Sequence, residues 1–302
     1  MSESPPTTPV CYRHPGRETY VRCTRCDRPI CPECMRDASV GHQCPECVNE
    51  GRRSVRPART AFGGGVAGRH GYVTKTLLGL NLLMMLLSIA SDRGGDSAAG
   101  GAGFGGLMGG STPLTQWGAV IGYAVFPDGA LHGVADGEWY RLVTAMFLHY
   151  GVLHLLLNMW ALWVLGRSLE AALGPLRFLA LYLIAGFGGN VAAYFFSASN
   201  VATAGASTAI FGLFAALFVI MRRLGRDTSA VLPILVINLV FTFAVPGISI
   251  AGHLGGMVTG ALLALVLAYA PRTRRSIFQF AGAAVILVVL LGMALLRTAA
   301  LL

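Results

Sequence analysis

Two side chains able to do hydrolytic chemistry stand at the starts of apolar runs. Ser207 lies in Gly205-Ala206-Ser207-Thr208-Ala209-Ile210-Phe211-Gly212, and His253 follows two apolar runs later. A serine hydroxyl is a weak nucleophile near neutral pH until a neighbouring base takes its proton, and a neutral imidazole suits that task. His154 and Asn158 are four residues apart, so they share one face of a leucine-rich helical run. Acyl transfer needs donors aimed at the oxygen that becomes negative, and Asn and His side chains serve where water is excluded. Together these residues point to hydrolysis in a place where water is scarce. Singly, each has a plain structural use as a helix cap, a packing element or an interhelical hydrogen bond.

A second constellation occupies the amino-terminal segment. Cys11-x-x-His14, Cys23-x-x-Cys26, Cys31-x-x-Cys34 and Cys44-x-x-Cys47 hold all seven cysteines of the chain. This short spacing is the one tetrahedral zinc prefers, and eight ligands suit two structural zinc ions with no open coordination position. Disulfides are the alternative, but a histidine in the set and a reducing cytosol favour metal. His42 is a spare candidate beside the last pair. So small a segment has little core of its own, so metal is expected to supply its folding energy.

The elements that must position Ser207 and His253 belong to a membrane protein. A hydrophobic content of 54% with only 12% charged residues, and a mean hydropathy of +0.62, exceed what a soluble domain can solvate. Apolar runs fall at about Thr74–Ser91, Leu142–Leu165, Phe178–Phe196, Ser207–Met221, Ala230–Pro246, Ile248–Ala270 and Ile277–Leu296. Most approach the roughly 20 residues that a helix needs to cross a bilayer. Seven spans are therefore expected.

Arginines and a lysine crowd the segment before the first span (Arg52, Arg53, Arg56, Arg59, Arg69, Lys75). Every second loop after it is basic too, with Arg167 and Arg177, then Arg222, Arg223 and Arg226, then Arg272, Arg274 and Arg275. The intervening loops hold few basic residues, Arg93 and Arg141 being the clear cases. The positive-inside rule then puts the amino terminus in the cytosol and the carboxyl terminus outside. Met1 to Pro9 has neither the basic start nor the apolar core of a secretory signal, in keeping with a cytosolic head.

In that topology the fourth and sixth spans run parallel, from outside to inside, and Ser207 and His253 share one depth near their outer ends. The fourth run is short, so Ser207 is expected below the membrane surface. Gly256 and Gly260 lie on the His253 face of the sixth span, where small residues let two backbones approach. No acidic third member is evident in the spans. Asn190 and Asn238 are assigned to helix–helix hydrogen bonds. The glycine-rich tract Gly94–Gly110 reads as a flexible linker outside the membrane. Glu138-Trp139-Tyr140-Arg141 reads as an outer interfacial belt with a snorkelling guanidinium.

The Gly-Ala-Ser-x-Ala-x-Phe-Gly of the fourth span and the His-x-x-x-Asn of the second resemble the rhomboid family of intramembrane serine proteases. So do the Trp-x-Arg before the second span and the Ala-Gly-His-x-Gly-Gly-x-x-x-Gly of the sixth. The resemblance covers roughly Val73 to Ala270, in order, spacing and topology. It implies an all-α polytopic membrane protein: a six-helix rhomboid core plus a seventh C-terminal transmembrane helix, with a small N-terminal zinc-binding domain. It further implies Ser207 as nucleophile, His253 as general base, and His154 and Asn158 as oxyanion donors beside the Ser207 backbone N–H. Trp139 and Arg141 match a structural motif of the first outer loop. Phe211 sits where some members have tyrosine, and packing on the His253 ring is expected of it. Catalysis requires no cofactor in this scheme.

The head resembles a B-box-type zinc finger. By that resemblance Cys11, His14, Cys31 and Cys34 hold one zinc and Cys23, Cys26, Cys44 and Cys47 the other, with sequential pairing as the alternative. The expected organisation is a zinc head over 1–50, an Arg-rich cytosolic linker over 51–72, a protease core over 73–270 and an extra transmembrane helix over 271–302. Expected partners are transmembrane protein substrates, the lipid bilayer and a cytosolic protein bound by the head. Nucleic acid is not expected, because basic residues beside a span more simply meet anionic lipid. The expected location is the plasma membrane. The rival function is a non-catalytic rhomboid-like adaptor that binds transmembrane clients without cutting them; a transporter ranks third.

Overall fold

The computed structural model describes residues 8–54, 58–66, 71–92, 110–126 and 129–302. The Gly94–Gly109 part of the glycine-rich tract, with Arg56, Arg69 and Arg93, lies outside the described residues. Two compact units are formed, Met1–Ala58 and Arg59–Leu302.

In the smaller unit β1 (Val10–Cys11) pairs antiparallel with β2 (His14–Glu18), and β3 (Arg36–Asp37) with β4 (His42–Gln43). Helix α1 (Pro45–Ser54) follows and carries Arg52 and Arg53 in its last turn, where cations oppose the helix dipole favourably. The buried interior is Ile30 surrounded by Cys11, Cys23, Cys31, Cys34, Cys44 and Cys47. One isoleucine cannot offset the conformational entropy of ordering such a segment. The sulfurs therefore stand where a hydrophobic core would otherwise be.

The larger unit is a helical bundle. Its long helices are α2 (Tyr72–Ser91), α5 (Val152–Leu173), α6 (Pro175–Phe196), α7 (Ser207–Arg223), α8 (Val231–Ala244), α9 (Ile250–Tyr269) and α10 (Arg275–Leu301). Between α2 and α5 lie the short helices α3 (Pro113–Gly118) and α4 (Arg141–Thr144). A small hairpin of β5 (Ala124–Val125) and β6 (Leu131–His132) stands between α3 and α4. Among the described residues α2, α5, α6, α9 and α10 are long and apolar enough to cross a membrane. With 17 and 14 residues, α7 and α8 reach only about 26 and 21 Å. Both fall short of a hydrocarbon core of roughly 30 Å, which places at least one end of each below the surface.

The second apolar run is divided differently from the expected Leu142–Leu165. Leu142 belongs to α4, a turn of 3-10 helix follows at Ala145–Phe147, and the spanning helix starts only at Val152. Gly151 makes the break at φ +86, a backbone state that side-chain-bearing residues rarely adopt. Gly174 at φ +84 ends α5 in the same way, eight residues beyond the expected Leu165. Hydropathy measures composition and does not see such breaks.

Near the C-terminal end of α5, Glu170 is fully buried and accepts hydrogen bonds from Val73 N (3.0 Å), Thr74 N (2.9 Å) and Thr74 Oγ1 (2.7 Å). A carboxylate on the orphan first-turn amides of α2 satisfies donors that lipid could not, and its charge suits the helix N-terminus. Residues 59–65, expected as linker, turn back onto the bundle: Phe62 is buried in its core, and Gln279 Nε2 donates to the Phe62 carbonyl at 3.2 Å.

Helices α6, α7 and α9 pack most extensively on one another. Thr208 through Ala216 of α7 are all buried. A Cβ placed on Gly256 would overlap the Thr208 carbonyl, and one on Gly260 would overlap the Gly212 backbone. The absence of side chains at these two glycines is what allows α9 to lie directly against α7, a packing mode favoured where lipid supplies no hydrophobic drive.

Candidate active site

That close approach brings the first residue of α7 level with the first turn of α9. Ser207 Oγ lies 2.7 Å from His253 Nε2. His253 is buried, and its ring stacks on Phe211, one turn after the serine, with centroids 4.2 Å apart and planes at 18°. The stacking fixes the ring plane from one side. The other ring nitrogen has a partner that sequence reading missed: Thr242, on α8, puts its Oγ1 2.8 Å from His253 Nδ1. The same hydroxyl lies 2.8 Å from the Asn238 carbonyl. A carbonyl only accepts, so the single hydroxyl proton goes there and Thr242 Oγ1 must accept from Nδ1–H. The imidazole is thereby held in the tautomer whose Nε2 is free to accept the Ser207 proton. Thr242 is one of only two residues of α8 that are buried, Val231 being the other.

Beside Ser207 lies the polar face of α5. A Cβ built on Gly205 would stand 2.9 Å from His154 Nε2 and 3.3 Å from Ser207 Oγ, so the His154 ring and the serine hydroxyl flank one spot that only glycine leaves open. Gly205 itself has φ +143. Asn158 sits one turn along the face, buried, with Nδ2 donating to the His154 carbonyl at 2.8 Å. One amide proton of Asn158 remains after that bond. His149 was also missed. It is buried, lies edge-on to His154 with centroids 5.0 Å apart, and accepts from the Ala206 N–H at 3.4 Å. It thus holds the turn that leads into Ser207. The first backbone amides of α7 lack carbonyl partners in their own helix, and the helix dipole there favours negative charge.

The loop preceding α4 supports this arrangement from one side. Arg141 is 2% exposed and does not snorkel, in contrast to the interfacial belt expected for it. Its Nε donates to Glu138 Oε2 at 2.6 Å, and NH1 donates to the carbonyls of Gln116 (2.7 Å) and Ala119 (3.0 Å). Glu138 also accepts from Gly133 N at 2.7 Å. Burial acts to raise the Glu138 pKa, but hydrogen bonds from Arg141 and His132 with the Arg141 charge outweigh it and hold the carboxyl at about 2. Trp139 packs against the core. Asn190 reaches across to the Leu142 carbonyl at 2.9 Å, as an interhelical role requires. Asn238 bonds within its own helix, to the Ile234 carbonyl, rather than between helices as expected.

In the head, Cys11, His14, Cys31 and Cys34 form one cluster and Cys23, Cys26, Cys44 and Cys47 another, with ligand atoms within 4.8 Å of one another in each. His14 Nδ1 is 3.2 Å from Cys31 Sγ and 3.5 Å from Cys34 Sγ, and Cys26 and Cys44 sulfurs are 3.8 Å apart. A tetrahedral site with metal–sulfur bonds of about 2.3 Å requires ligand separations of about 3.7 Å. Burial raises the Cys11 and Cys23 thiols, yet backbone N–H groups aimed at the sulfurs bring both down to about 6. Burial and the neighbouring sulfurs push Cys34 up to about 11 and Cys47 to about 12. So many crowded sulfurs cannot all ionise without a cation among them, and the donor set fits a divalent metal. His42 lies outside both clusters, 3.6 Å from Asp37.

Comparison with known proteins agrees with this architecture. The family described as Rhomboid domain matches residues 136–270. The chain is 41% identical over 142 residues to Rhomboid protease GluP of Bacillus subtilis, covering 44% of this chain and 27% of that one. It is 37% identical over 139 residues to YdcA of the same organism, whose name places it among the rhomboid proteases, covering 44% of this chain and 70% of YdcA. Against RHOMBOID-like protein 4 of Arabidopsis thaliana identity is 36% over 146 residues, 46% of this chain and 36% of the relative. The chain belongs to the rhomboid family. It is an integral multi-pass membrane protein of that family, and it spans about a quarter of the length of GluP.

Proposed function

We propose that this chain is an intramembrane serine endopeptidase that cleaves transmembrane segments of other proteins with a Ser207–His253 dyad. The observation that carries this reading is the 2.7 Å hydrogen bond between Ser207 Oγ and His253 Nε2. Ser207 Oγ attacks the scissile carbonyl carbon while its proton passes to Nε2. The oxyanion that forms is met by the Ser207 backbone N–H, by His154 and by Asn158. As the tetrahedral intermediate collapses, the C–N bond breaks and the leaving amine takes the proton from Nε2. A water molecule then repeats the sequence on the acyl-enzyme, with His253 again as base, and releases the acid and free Ser207. The test that separates protease from adaptor is covalent: a fluorophosphonate should modify Ser207 of the purified protein in detergent, and a well-folded protein left unmodified would return the chain to the adaptor class.

Thr242 acts in this scheme as a positioning residue that keeps Nδ1 protonated. Thr242→Val keeps the shape of the side chain and removes the hydroxyl. It is expected to lower kcat about tenfold, the worth of one buried hydrogen bond, with KM nearly unchanged. Thr242→Ser should restore most of the rate. A packing role alone would give the opposite order, with Val better tolerated than Ser.

The head is proposed to hold two structural zinc ions, one per cluster, and to serve as a binding module for a cytosolic protein. The chain is assigned to the plasma membrane with its amino terminus inside and carboxyl terminus outside. Support comes from the alternation of basic loops. In intact cells a membrane-impermeant thiol reagent should reach Gly110→Cys and not Arg226→Cys when both are placed in a variant lacking the cysteine-bearing head; labelling at Arg226→Cys alone would invert the assignment and take Ser207 away from the outer face.

A further inference from the structure

At the opposite end of the bundle from Ser207, the link between α9 and α10 and the turn at residues 59–65 border an open surface pocket of about 410 Å³. It is lined by Arg59, Arg272, Arg274, Arg275, Ser276 and Ile277. Arg177 adds a further guanidinium nearby, donating to Gln279 Oε1 at 2.7 Å and to Ser276 Oγ at 3.3 Å. Arg59 NH1 donates to the Gly63 carbonyl at 3.2 Å and Arg275 NH1 to the Ala61 carbonyl at 2.8 Å. Those bonds pin the two arginines in place and leave most of their donors unused. Among the described residues, Arg272 and Arg274 make no side-chain hydrogen bond, and no carboxylate bridges to any of these arginines.

A topological signal needs basic residues at an inner membrane face, but it does not need them gathered around one pocket. Gathering like charges without an acid costs energy that a bound anion relieves. The N-terminus of α10, a helix of 27 residues, opens at the same spot, and its dipole favours the same sign of ligand. Directly beyond, Ile277, Phe278 and Phe280 are exposed at 63%, 52% and 57% on a spanning helix, where acyl chains would cover them.

We propose that this pocket is a binding site for a phosphate group, filled in the membrane by the headgroup of an anionic phospholipid whose chains lie along the apolar face of α10. Arg272 and Arg274 supply the free charge-assisted donors. Arg59 and Arg275 form the fixed wall.

Native mass spectrometry of the full chain in mixed micelles would test this, using phosphatidylglycerol, phosphatidylcholine and inorganic phosphate as probes. Phosphatidylglycerol should be retained more tightly than phosphatidylcholine, and Arg272→Gln/Arg274→Gln should weaken its retention about tenfold or more. Neither arginine makes an internal side-chain bond, so that variant should fold normally. Arg222→Gln/Arg226→Gln removes the same charge elsewhere on the inner face and should change retention about twofold at most. Displacement of the lipid by millimolar inorganic phosphate would keep the phosphate site and name a soluble ligand as its occupant. Equal weakening in both double variants, or none in Arg272→Gln/Arg274→Gln, would overturn the proposal, since binding would then reside in diffuse charge or elsewhere.

Discussion

Ser207→Ala is expected to abolish cleavage of a transmembrane substrate, and His253→Ala to reduce it by about a thousandfold or more. Removing the hydroxyl removes the atom that forms the new bond, so no residual covalent path is left. Removing the imidazole leaves a serine whose proton has no acceptor, and general base catalysis is worth roughly 10²–10⁴ in rate. In the proposed mechanism the two groups work as one unit through a single 2.7 Å hydrogen bond. Their effects should therefore not add, and Ser207→Ala/His253→Ala should be no slower than Ser207→Ala alone. Neither change should unfold the bundle, because the contacts of α7 with α9 run through Thr208, Gly212, Gly256 and Gly260. Asn158→Ala should fall between these variants and wild type, losing on the order of a hundredfold or more in kcat with little change in KM, as expected for a donor that acts on the oxyanion. Measurable turnover by a pure, folded Ser207→Ala protein would remove Ser207 from the mechanism.

Elemental analysis of the purified chain should find two zinc ions per molecule, and stripping them should unfold the head while the bundle stays intact. The head buries one isoleucine among six cysteines, so almost all of its stability must come from ligation. Structural zinc supplies about 10–16 kcal/mol in small fingers, far more than any other interaction available to some fifty residues. The larger unit draws instead on a continuous apolar core that runs from Phe62 to Ala294 and should not respond. A strong chelator should expose the head to protease digestion with fluorophosphonate labelling of Ser207 unchanged. One zinc per chain would mean that only one cluster binds, and none would mean that the thiols serve another purpose. Cys34→Ser and Cys44→Ser, one from each cluster, then show whether the two sites fold together or separately.

The sequence alone was sufficient for the local quantities. Apolar runs marked the seven long helices, because the hydration cost of each residue is a property of its own side chain. The ligand spacing announced two metal-sized groups, and the alternation of basic loops with the position of Ser207 and His253 in their runs gave both residues one depth. The stacking partner of His253 was legible too, since Phe211 is one turn from Ser207.

Only the tertiary structure decided what depends on how helices cross. Thr242 looks like any threonine in an apolar helix until α8 is laid beside α9, when its hydroxyl proves to be committed to Asn238 and open to His253 Nδ1. His149 falls inside the expected run Leu142–Leu165, yet the break at Gly151 leaves it outside the spanning helix, where it accepts from the Ala206 N–H of the turn that leads into Ser207. Arg141 reads as interfacial and is buried, because the nearby Glu138 carboxylate and two carbonyls at the end of α3 converge on it. The arginines of the 59–65 turn and the α9–α10 link are more than two hundred residues apart and meet at one pocket. Periodicity and hydropathy carry information over a few turns of one helix, whereas these arrangements are fixed by how separate elements pack on one another, which no local pattern encodes.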